Sequence, residues 1–306
     1  MAEMTEIASG LEFPEGPIAM DDGSVLLVEI KRGTLTRVQP DGTTSVVADV
    51  GGGPNGAAIG PDGMVYIAND GGCFEWHEME GFTVPGNRPE SYIGGRIQRV
   101  DPATGAFEDI YTECDGKPLR APNDLVFDTS GGFWFTDHGT SDERSRDRTG
   151  VFYAKADGSS IEEVIFPSES PNGVGLSPDG STLYVAETHT GRVMRIPLEG
   201  PGTAAPAGGL LDTSRLLVGL PGMQLLDSLA VERDGNVCVA TLVQPGITVI
   251  SPSGDIIEKV ETDDPLTTNI CFGGPDLRTA FITLSGLGKL VSMEWPRPGL
   301  ELAYNG

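Results

Sequence analysis

The chain is poor in the residues that build most transition-metal sites and disulfide frameworks. It contains three histidines and four cysteines, and the cysteines lie far apart without a CxxC pair. A zinc ribbon is therefore excluded, and a disulfide framework is not expected in a chain of 306 residues. The scattered thiols, and an N-terminal segment with neither the basic start nor the apolar stretch of a signal peptide, predict a cytoplasmic protein.

Basic residues are also scarce. Twenty Lys and Arg residues stand against 45 Asp and Glu residues, which gives a net charge of −25. Such a surface repels phosphate backbones, so nucleic acid is not expected as a partner. The apolar runs are only a few residues long, and no segment is predicted to span a membrane. Neither nucleic acid nor a membrane is expected as a partner, and the chain is expected to be a monomer or a weak homo-oligomer.

Several common catalytic signatures are missing as well. The sequence has no GxSxG, HExxH or P-loop motif, and no GxGxxG ahead of a helix. No window shows a sustained apolar period of 3.6 residues. Instead, 43 glycines, 23 prolines and repeated Asp-Gly pairs indicate many turns between short strands. These features predict an all-β fold.

The chain does contain one short motif that is repeated six times. In each copy a Glu, Asn or Asp is followed seven positions later by a turn-forming residue. A short, largely apolar segment lies between the two and is predicted to form the first strand of the unit, Ile18–Met20 in the first copy. A second apolar segment follows the turn. Successive copies are 40 to 68 residues apart, about 51 on average, which is typical of a four-stranded propeller blade. The six polar residues are Glu15, Asn55, Asn123, Asn172, Asp227 and Asn269.

This repeat predicts a six-bladed β-propeller with four antiparallel strands per blade, in a single domain over residues 1–306. The N-terminal segment Thr5–Leu11 is expected to pair with the last strands, Lys289–Trp295, and so to close the ring. Two segments exceed the length that a blade needs, Gly71–Gly95 and Asp137–Gly150. We predict that both are loops bordering one mouth of the central channel.

The shared register predicts where the six polar residues meet. A strand of five residues spans about 17 Å, so each polar residue and its turn lie at opposite ends of a blade. All six polar residues are therefore expected at the same mouth of the channel. Their carboxylate and amide oxygens form an oxygen-only set that suits a hard divalent cation such as Ca²⁺, Mg²⁺ or Mn²⁺, and oxygen-bound Zn²⁺ remains an alternative.

Each Asn, taken alone, is explained equally well as a turn residue that bonds its own backbone. The two acids are harder to explain in this way. Glu15 is a poor turn residue, and Asp227 lies in an apolar run, where an unpaired charge is costly. One cation shared by both acids is the economical explanation.

The motif copies resemble those of the SMP-30/gluconolactonase/luciferin-regenerating family of six-bladed propeller lactone hydrolases. The resemblance runs from about residue 11 to residue 295 and includes all six copies. It implies metal-dependent hydrolysis of a cyclic ester, by analogy a sugar lactone. The stretches that carry it most clearly are residues 13–17, 121–126, 170–174, 226–229 and 268–274.

The resemblance also implies roles for individual residues. Glu15, Asn172 and Asp227 match the positions that hold one divalent cation, with Ca²⁺ as the first choice. Asn123 matches a residue beside the cation, either as a ligand or as a contact to substrate and water. Asn55 falls where some members have a substrate-facing residue.

The proton acceptor for the attacking water is left open between two residues. Asp227 can fill this role if its second oxygen reaches the water. His189 is the alternative base, or else a loop residue that hydrogen-bonds near the pocket. His138 has a similar location after the third-copy strand and is expected to contact substrate.

Three other functions remain open on the sequence. A metal-dependent propeller could hydrolyse another ester or a phosphotriester, or catalyse a condensation as strictosidine-synthase-like propellers do. A propeller without catalysis could act as a scaffold for partners, because a fold alone does not fix function.

Overall fold

The structure is a computed structural model that describes residues 4–209 and 211–304. Every regular element in those ranges is a β-strand. None of the described residues form a helix long and apolar enough to cross a membrane. The N-terminal strand is β1 (Thr5–Ser9), and most of the strands that follow belong to six sheets around a common centre.

The first three blades follow the chain in order, each with its first strand innermost. In blade 2 a separate hairpin is inserted between the second and third strands, and a second hairpin follows the blade. Blade 1 comprises β2 (Pro14–Ala19), β3 (Val25–Glu29), β4 (Thr34–Val38) and β5 (Thr44–Asp49). Blade 2 comprises β6 (Pro54–Ile59), β7 (Val65–Asn69), β10 (Arg96–Val100) and β11 (Phe107–Tyr111), with β8 (Trp76–Met79), β9 (Phe82–Pro85), β12 (Glu113–Cys114) and β13 (Lys117–Pro118) outside its sheet. Blade 3 comprises β14 (Pro122–Phe127), β15 (Gly132–Asp137), β16 (Thr149–Lys155) and β17 (Ile161–Ser168).

The last three blades repeat the plan, and blade 6 takes its outer strand from the start of the chain. Blade 4 comprises β18 (Pro171–Leu176), β19 (Thr182–Glu187), β20 (Arg192–Gly200) and β22 (Leu216–Gly219), with the short β21 (Thr203–Ala204) beside β20. Blade 5 comprises β23 (Leu225–Val231), β24 (Val237–Leu242), β25 (Gly246–Ile250) and β26 (Ile256–Glu261). Blade 6 comprises β27 (Thr267–Gly273), β28 (Thr279–Leu284), β29 (Lys289–Glu294) and β1.

The innermost strands contact one another in a closed circle. Each of β2, β6, β14, β18, β23 and β27 packs against the next, and β27 returns to β2. The predicted all-β, six-bladed propeller with four antiparallel strands per blade is confirmed. The N-terminal strand β1 pairs antiparallel with β29 and is the outer strand of blade 6.

Each innermost strand has an irregularity at its motif residue. The pairing of β14 with β15 shifts between Pro122 and Leu125, and that of β18 with β19 shifts between Pro171 and Val174. Shifts occur at the corresponding place in the other four blades. A bulge of this kind turns a side chain out of the normal alternation. The sequence-based bounds missed this, because they started the first inner strand at Ile18, after the motif, whereas β2 begins at Pro14.

The glycine that follows the motif residue lets neighbouring inner strands approach closely. A Cβ atom on Gly16, where φ is +52°, would lie 2.7 Å from the backbone nitrogen of Ala57. On Gly173 it would lie 2.6 Å from the backbone nitrogen of Leu229. Any side chain at these positions would collide with the adjacent blade. The Pro-Glu-Gly and Pro-Asn-Gly sequences therefore combine a bulge with close packing around the channel.

Candidate active site

One end of the channel opens into a cavity of about 460 Å³, here called the site cavity. It lies where the inner strands begin, and both long insertions contribute residues to its lining. The prediction that both are loops is wrong for Gly71–Gly95, which contains the β8–β9 hairpin. The β8–β9 hairpin contributes His77 and Pro85, and the loop between β15 and β16 contributes residues 138–141 and Arg146. All seven predicted site residues line this cavity: Glu15, Asn55, Asn123, His138, Asn172, His189 and Asp227.

Glu15 is held firmly by one oxygen and is open at the other. Its Oε2 accepts hydrogen bonds from the backbone N–H of Gly16 and from Nδ2 of Asn269, both at 2.6 Å. Its Oε1 is buried and has no hydrogen-bond partner. Burying a carboxylate oxygen without a hydrogen-bond donor costs folding free energy, so an acceptor without a partner at this position calls for an explanation.

Two amide oxygens share this condition. The Oδ1 atoms of Asn123 and Asn172 are both buried without a partner, and Nδ2 of Asn172 donates to Oγ1 of Thr188 at 3.2 Å. Three unpartnered oxygens from three blades thus line one cavity together with Asp227. Oxygen acceptors of this type are the ligands that hard divalent cations prefer, so the residues present fit such an ion.

The candidate ligand set is only half acidic. No three His, Cys, Asp or Glu side chains gather as a potential metal cluster anywhere in residues 4–209 and 211–304. The candidate set has two carboxylates, and the remaining oxygens belong to amides. A cation held this way would depend on the unpartnered amide oxygens as much as on charge.

The carboxyl groups at the channel are crowded and desolvated. Burial, followed by the nearby charge of Asp227, raises the pKa of Glu15 well above its ordinary value. Burial raises the pKa of Asp227 to about 7, with the Asn172 amide opposing and the charge of Asp124 adding to the shift. Burial likewise raises the pKa of Asp124 to about 7. A positive charge among these groups would relieve the crowding.

This crowding predicts an unusual effect of pH on stability. Because the folded-state pKa of Asp227 lies above its unfolded value, its ionisation costs stability as pH rises from about 4 through 7. We expect metal-free Asp227→Asn to melt several degrees above the metal-free wild-type protein at pH 8 and at the same temperature below pH 4. Thermal unfolding followed by circular dichroism measures the difference. A gap that does not change with pH would contradict the prediction. Ca²⁺ should raise the melting temperature of the wild-type protein more than that of the variant, because Asn keeps one ligand oxygen and loses the charge.

His138 and His189 lie side by side at the edge of the site cavity. Their ring centroids are 5.6 Å apart, and Nδ1 of His138 is buried without a partner. Burial, then the neighbouring His189 and Arg146, lowers the pKa of His138 to about 3. Burial and Arg146 lower the pKa of His189 to about 4. Both imidazoles are therefore neutral near pH 7 and can donate or accept a hydrogen bond.

Two motif residues have different surroundings from the others. Asn269 does not line the site cavity. Its Nδ2 fixes Glu15, and its Oδ1 accepts the backbone N–H of Ile270 at 2.7 Å. The amide of Asn55 lies near Asp70, whose pKa burial raises to about 6 while backbone N–H groups and this amide lower it. Asn269 is thus a support for Glu15, and Asn55 lines the cavity next to a buried acid.

A set of supporting carboxylates was missed by sequence reasoning. Asp137, the last residue of β15, accepts the backbone N–H groups of Arg120 and Ala121 at 2.7 and 2.8 Å, just before Asn123. Glu187, the last residue of β19, accepts the N–H of Glu169 at 3.0 Å, just before Asn172. Each acid fixes the loop that leads into an inner strand. The signal in the sequence is an acid that ends the second strand of a blade.

The four cysteines are free thiols. Three are buried, and burial raises the pKa of each of these. The expectation that no disulfide framework exists agrees with this arrangement.

The fold and the cavity define a six-bladed β-propeller in which acidic and amide side chains from different blades line one mouth of the channel. The sequence model described as the SMP-30/Gluconolactonase/LRE-like region matches residues 13–286. The chain belongs to this family.

Individual relatives agree with this assignment. The chain is 27% identical to a gluconolactonase of Zymomonas mobilis over 91% of this chain and 78% of the relative. It is 31% identical to the lactonase drp35 of Staphylococcus saprophyticus over 82% of this chain and 70% of the relative. Among solved structures, regucalcin of Agrobacterium tumefaciens, described as a calcium-binding protein, superposes with a TM-score of 0.71 at 19% identity, covering 95% of both chains. At that identity the likeness shows the fold alone.

Proposed function

We propose that the protein is a metal-dependent hydrolase that opens a lactone ring, by analogy a sugar lactone, with an activated water. The observation that carries the proposal is the group of unpartnered oxygens of Glu15, Asn123 and Asn172 in one cavity with Asp227. The relatives named gluconolactonase and lactonase support the reaction class. The four free thiols fit the cytoplasmic location that we propose.

The proposed ligands are Glu15, Asn172 and Asp227, with Asn123 as a fourth ligand or a contact to substrate and water. Oxygen ligands of mixed charge favour Ca²⁺, and Mg²⁺, Mn²⁺ and Zn²⁺ are the alternatives. When bound, a divalent cation would supply polarisation of the ester carbonyl and acidification of a water molecule.

The side chains themselves supply positioning and a base. Gly16 and Asn269 donate hydrogen bonds to Oε2 of Glu15 and so fix the orientation of its carboxylate, including that of Oε1. In the proposed mechanism Asp227 takes the proton from the attacking water, and Asn123 steadies the carbonyl or the water. The neutral imidazoles of His138 and His189 hydrogen-bond the hydroxyl groups of the substrate, and Asn55 contacts its far side.

Chelation tests the metal requirement directly. We expect the purified protein to hydrolyse D-glucono-1,5-lactone, measured as proton release in a pH-stat, and to lose this activity after exhaustive dialysis against EDTA. Ca²⁺ or another divalent cation should restore it. Activity that persists after complete metal removal would overturn the metal-dependent mechanism.

Two other outcomes would favour the alternative functions. Phosphotriester turnover far above that of any lactone would favour the alternative hydrolase, and the absence of cation binding in calorimetry would favour a scaffold.

A further inference from the structure

The loop between β15 and β16 brings one basic side chain to the site cavity. Arg146 lines the cavity on the side of His138 and His189. Its Nε donates a hydrogen bond to Oγ of Ser141 at 3.2 Å. The backbones of the same two residues form an isolated antiparallel bridge. The guanidinium is thus held by its inner nitrogen, and the Arg146 side chain is otherwise exposed at the rim of the cavity.

The loop is built to hold this position. Oδ2 of Asp147 accepts Nε of Arg120 at 2.8 Å, together with the N–H and Oγ1 of Thr140 at 3.0 and 2.7 Å. On the other side, Nη2 of Arg88 contacts both carboxylate oxygens of Asp142 at 3.0 Å. Ion pairs to two different parts of the chain therefore fix the loop on both sides of Arg146.

The two outer nitrogens of Arg146 have no hydrogen-bond or carboxylate partner within residues 4–209 and 211–304. The adjacent acid, Asp147, is occupied by Arg120 and Thr140. Arg146 is also the only Arg or Lys among the described residues that line the cavity, where the acids are Glu15, Glu75 and Asp227. A guanidinium with two free parallel N–H donors is the side chain best suited to a planar or tetrahedral anion.

We propose that the lactone substrate carries an anionic substituent, a carboxylate or a phosphate, and that Arg146 binds it. This inference rests on the proposed function and names its substrate class. A surface with a net charge of −25 repels anions, so an anionic substrate needs a local cation to bind. The neutral histidines beside Arg146 add no second positive charge, which makes this one residue decisive for selectivity.

Paired lactones test the proposal. We expect the wild-type protein to have a higher kcat/KM for D-glucaro-1,4-lactone, which carries a carboxylate, or for 6-phospho-D-glucono-1,5-lactone than for neutral D-glucono-1,5-lactone. Arg146→Gln should lower kcat/KM for the preferred anionic lactone about tenfold or more, mainly through KM, because a charge-assisted hydrogen bond is lost. The same variant should change the value for the neutral lactone less than about twofold. The anionic lactone whose kcat/KM falls more in Arg146→Gln shows whether the bound substituent is a carboxylate or a phosphate.

Arg144→Gln is the matched control, since it removes the same charge from the same loop at a residue that does not line the cavity. It should leave the preference for the anion intact. Equal effects of Arg146→Gln on neutral and anionic lactones, or no effect on either, would overturn the proposal.

A binding measurement separates this proposal from the proposed function. Calorimetry with Ca²⁺ present compares D-glucarate, which has a second carboxylate, with D-gluconate. Arg146→Gln should weaken glucarate binding about tenfold and leave gluconate binding unchanged. If no lactone is hydrolysed, the proposed function fails, and the glucarate result still decides the role of Arg146. Equal binding of the two acids by the wild-type protein counts against it.

Discussion

Asp227→Asn is expected to lower kcat/KM for lactone hydrolysis about a thousandfold at saturating Ca²⁺. Asn has nearly the same shape and keeps one ligand oxygen, but it cannot accept the proton of the attacking water, a contribution of about 10² to 10⁴ in rate. Burial raises the pKa of Asp227 to about 7 in the metal-free protein, and a bound cation would lower it again, so that the carboxylate is ionised and able to accept a proton. Steady-state kinetics in a pH-stat, with Ca²⁺ varied to saturation, measures the effect.

Glu15→Gln separates holding the cation from taking the proton. The variant removes the charge and weakens cation binding, so its activity should recover in part as Ca²⁺ is raised, whereas that of Asp227→Asn should not. Calorimetric titration gives the two affinities. Glu75→Gln, which removes a charge from the same cavity outside the ligand set, should change kcat/KM less than about twofold. An Asp227→Asn protein with near wild-type activity would exclude Asp227 as the base and return the role to His189.

The arrangement of the site was predictable because the motif repeats in one register. A polar residue fixed at the same position in every blade must reach the same end of the channel, whatever the loop lengths between blades. This is why Glu15, Asn123 and Asn172 meet although the intervals between them are unequal. Glu15 and Asp227 were recognisable because neither turn formation nor solvent exposure explains an acid at these positions in the sequence.

The differences among the motif residues were not predictable, because they depend on neighbours from other blades. Asn269 has the same motif position as Asn123, yet its amide is used to hold Glu15. Whether an amide oxygen is left without a partner depends on side chains such as Thr188 that are remote from the motif. The sequence also gives no sign that Arg146, among several arginines in its loop, is the one that faces the cavity.

The bulges explain why the sequence predicts the start of the inner strands several residues later than the structure shows. A bulge and a glycine at the motif look like a turn in the sequence, since both use residues that favour irregular backbone. In the structure the chain is already paired at Pro14, Pro122 and Pro171. The irregularity that obscured the strand start is the feature that aims the motif side chain into the channel.

A buried acid that does not line the site cavity joins blade 5 to the segment after blade 6. Glu232 follows β23 and is fully buried. Its carboxylate accepts Nε1 of Trp295 at 2.7 Å, Nε of Arg297 at 2.6 Å and Nδ2 of Asn236 at 2.7 Å. Burial raises the pKa of this carboxyl, but the donors, Arg297 first, outweigh burial and hold the pKa below its ordinary value. The charge is therefore fully compensated in the folded protein.

Glu232→Ala is expected to destabilise the protein by about 3–5 kcal/mol, because it strands a buried indole N–H and removes the partner of Arg297. Urea unfolding followed by tryptophan fluorescence measures the loss. Glu258→Gln is the matched control, since Glu258 pairs with the same guanidinium at 2.7 Å but is about one-third exposed, and it should cost less than about 1 kcal/mol. Since the folded-state pKa of Glu232 is depressed, its contribution is present above pH 5 and is lost as pH falls below its ordinary range. Equal losses of unfolding free energy in the two variants would contradict the stabilising role of the buried Glu232 carboxylate.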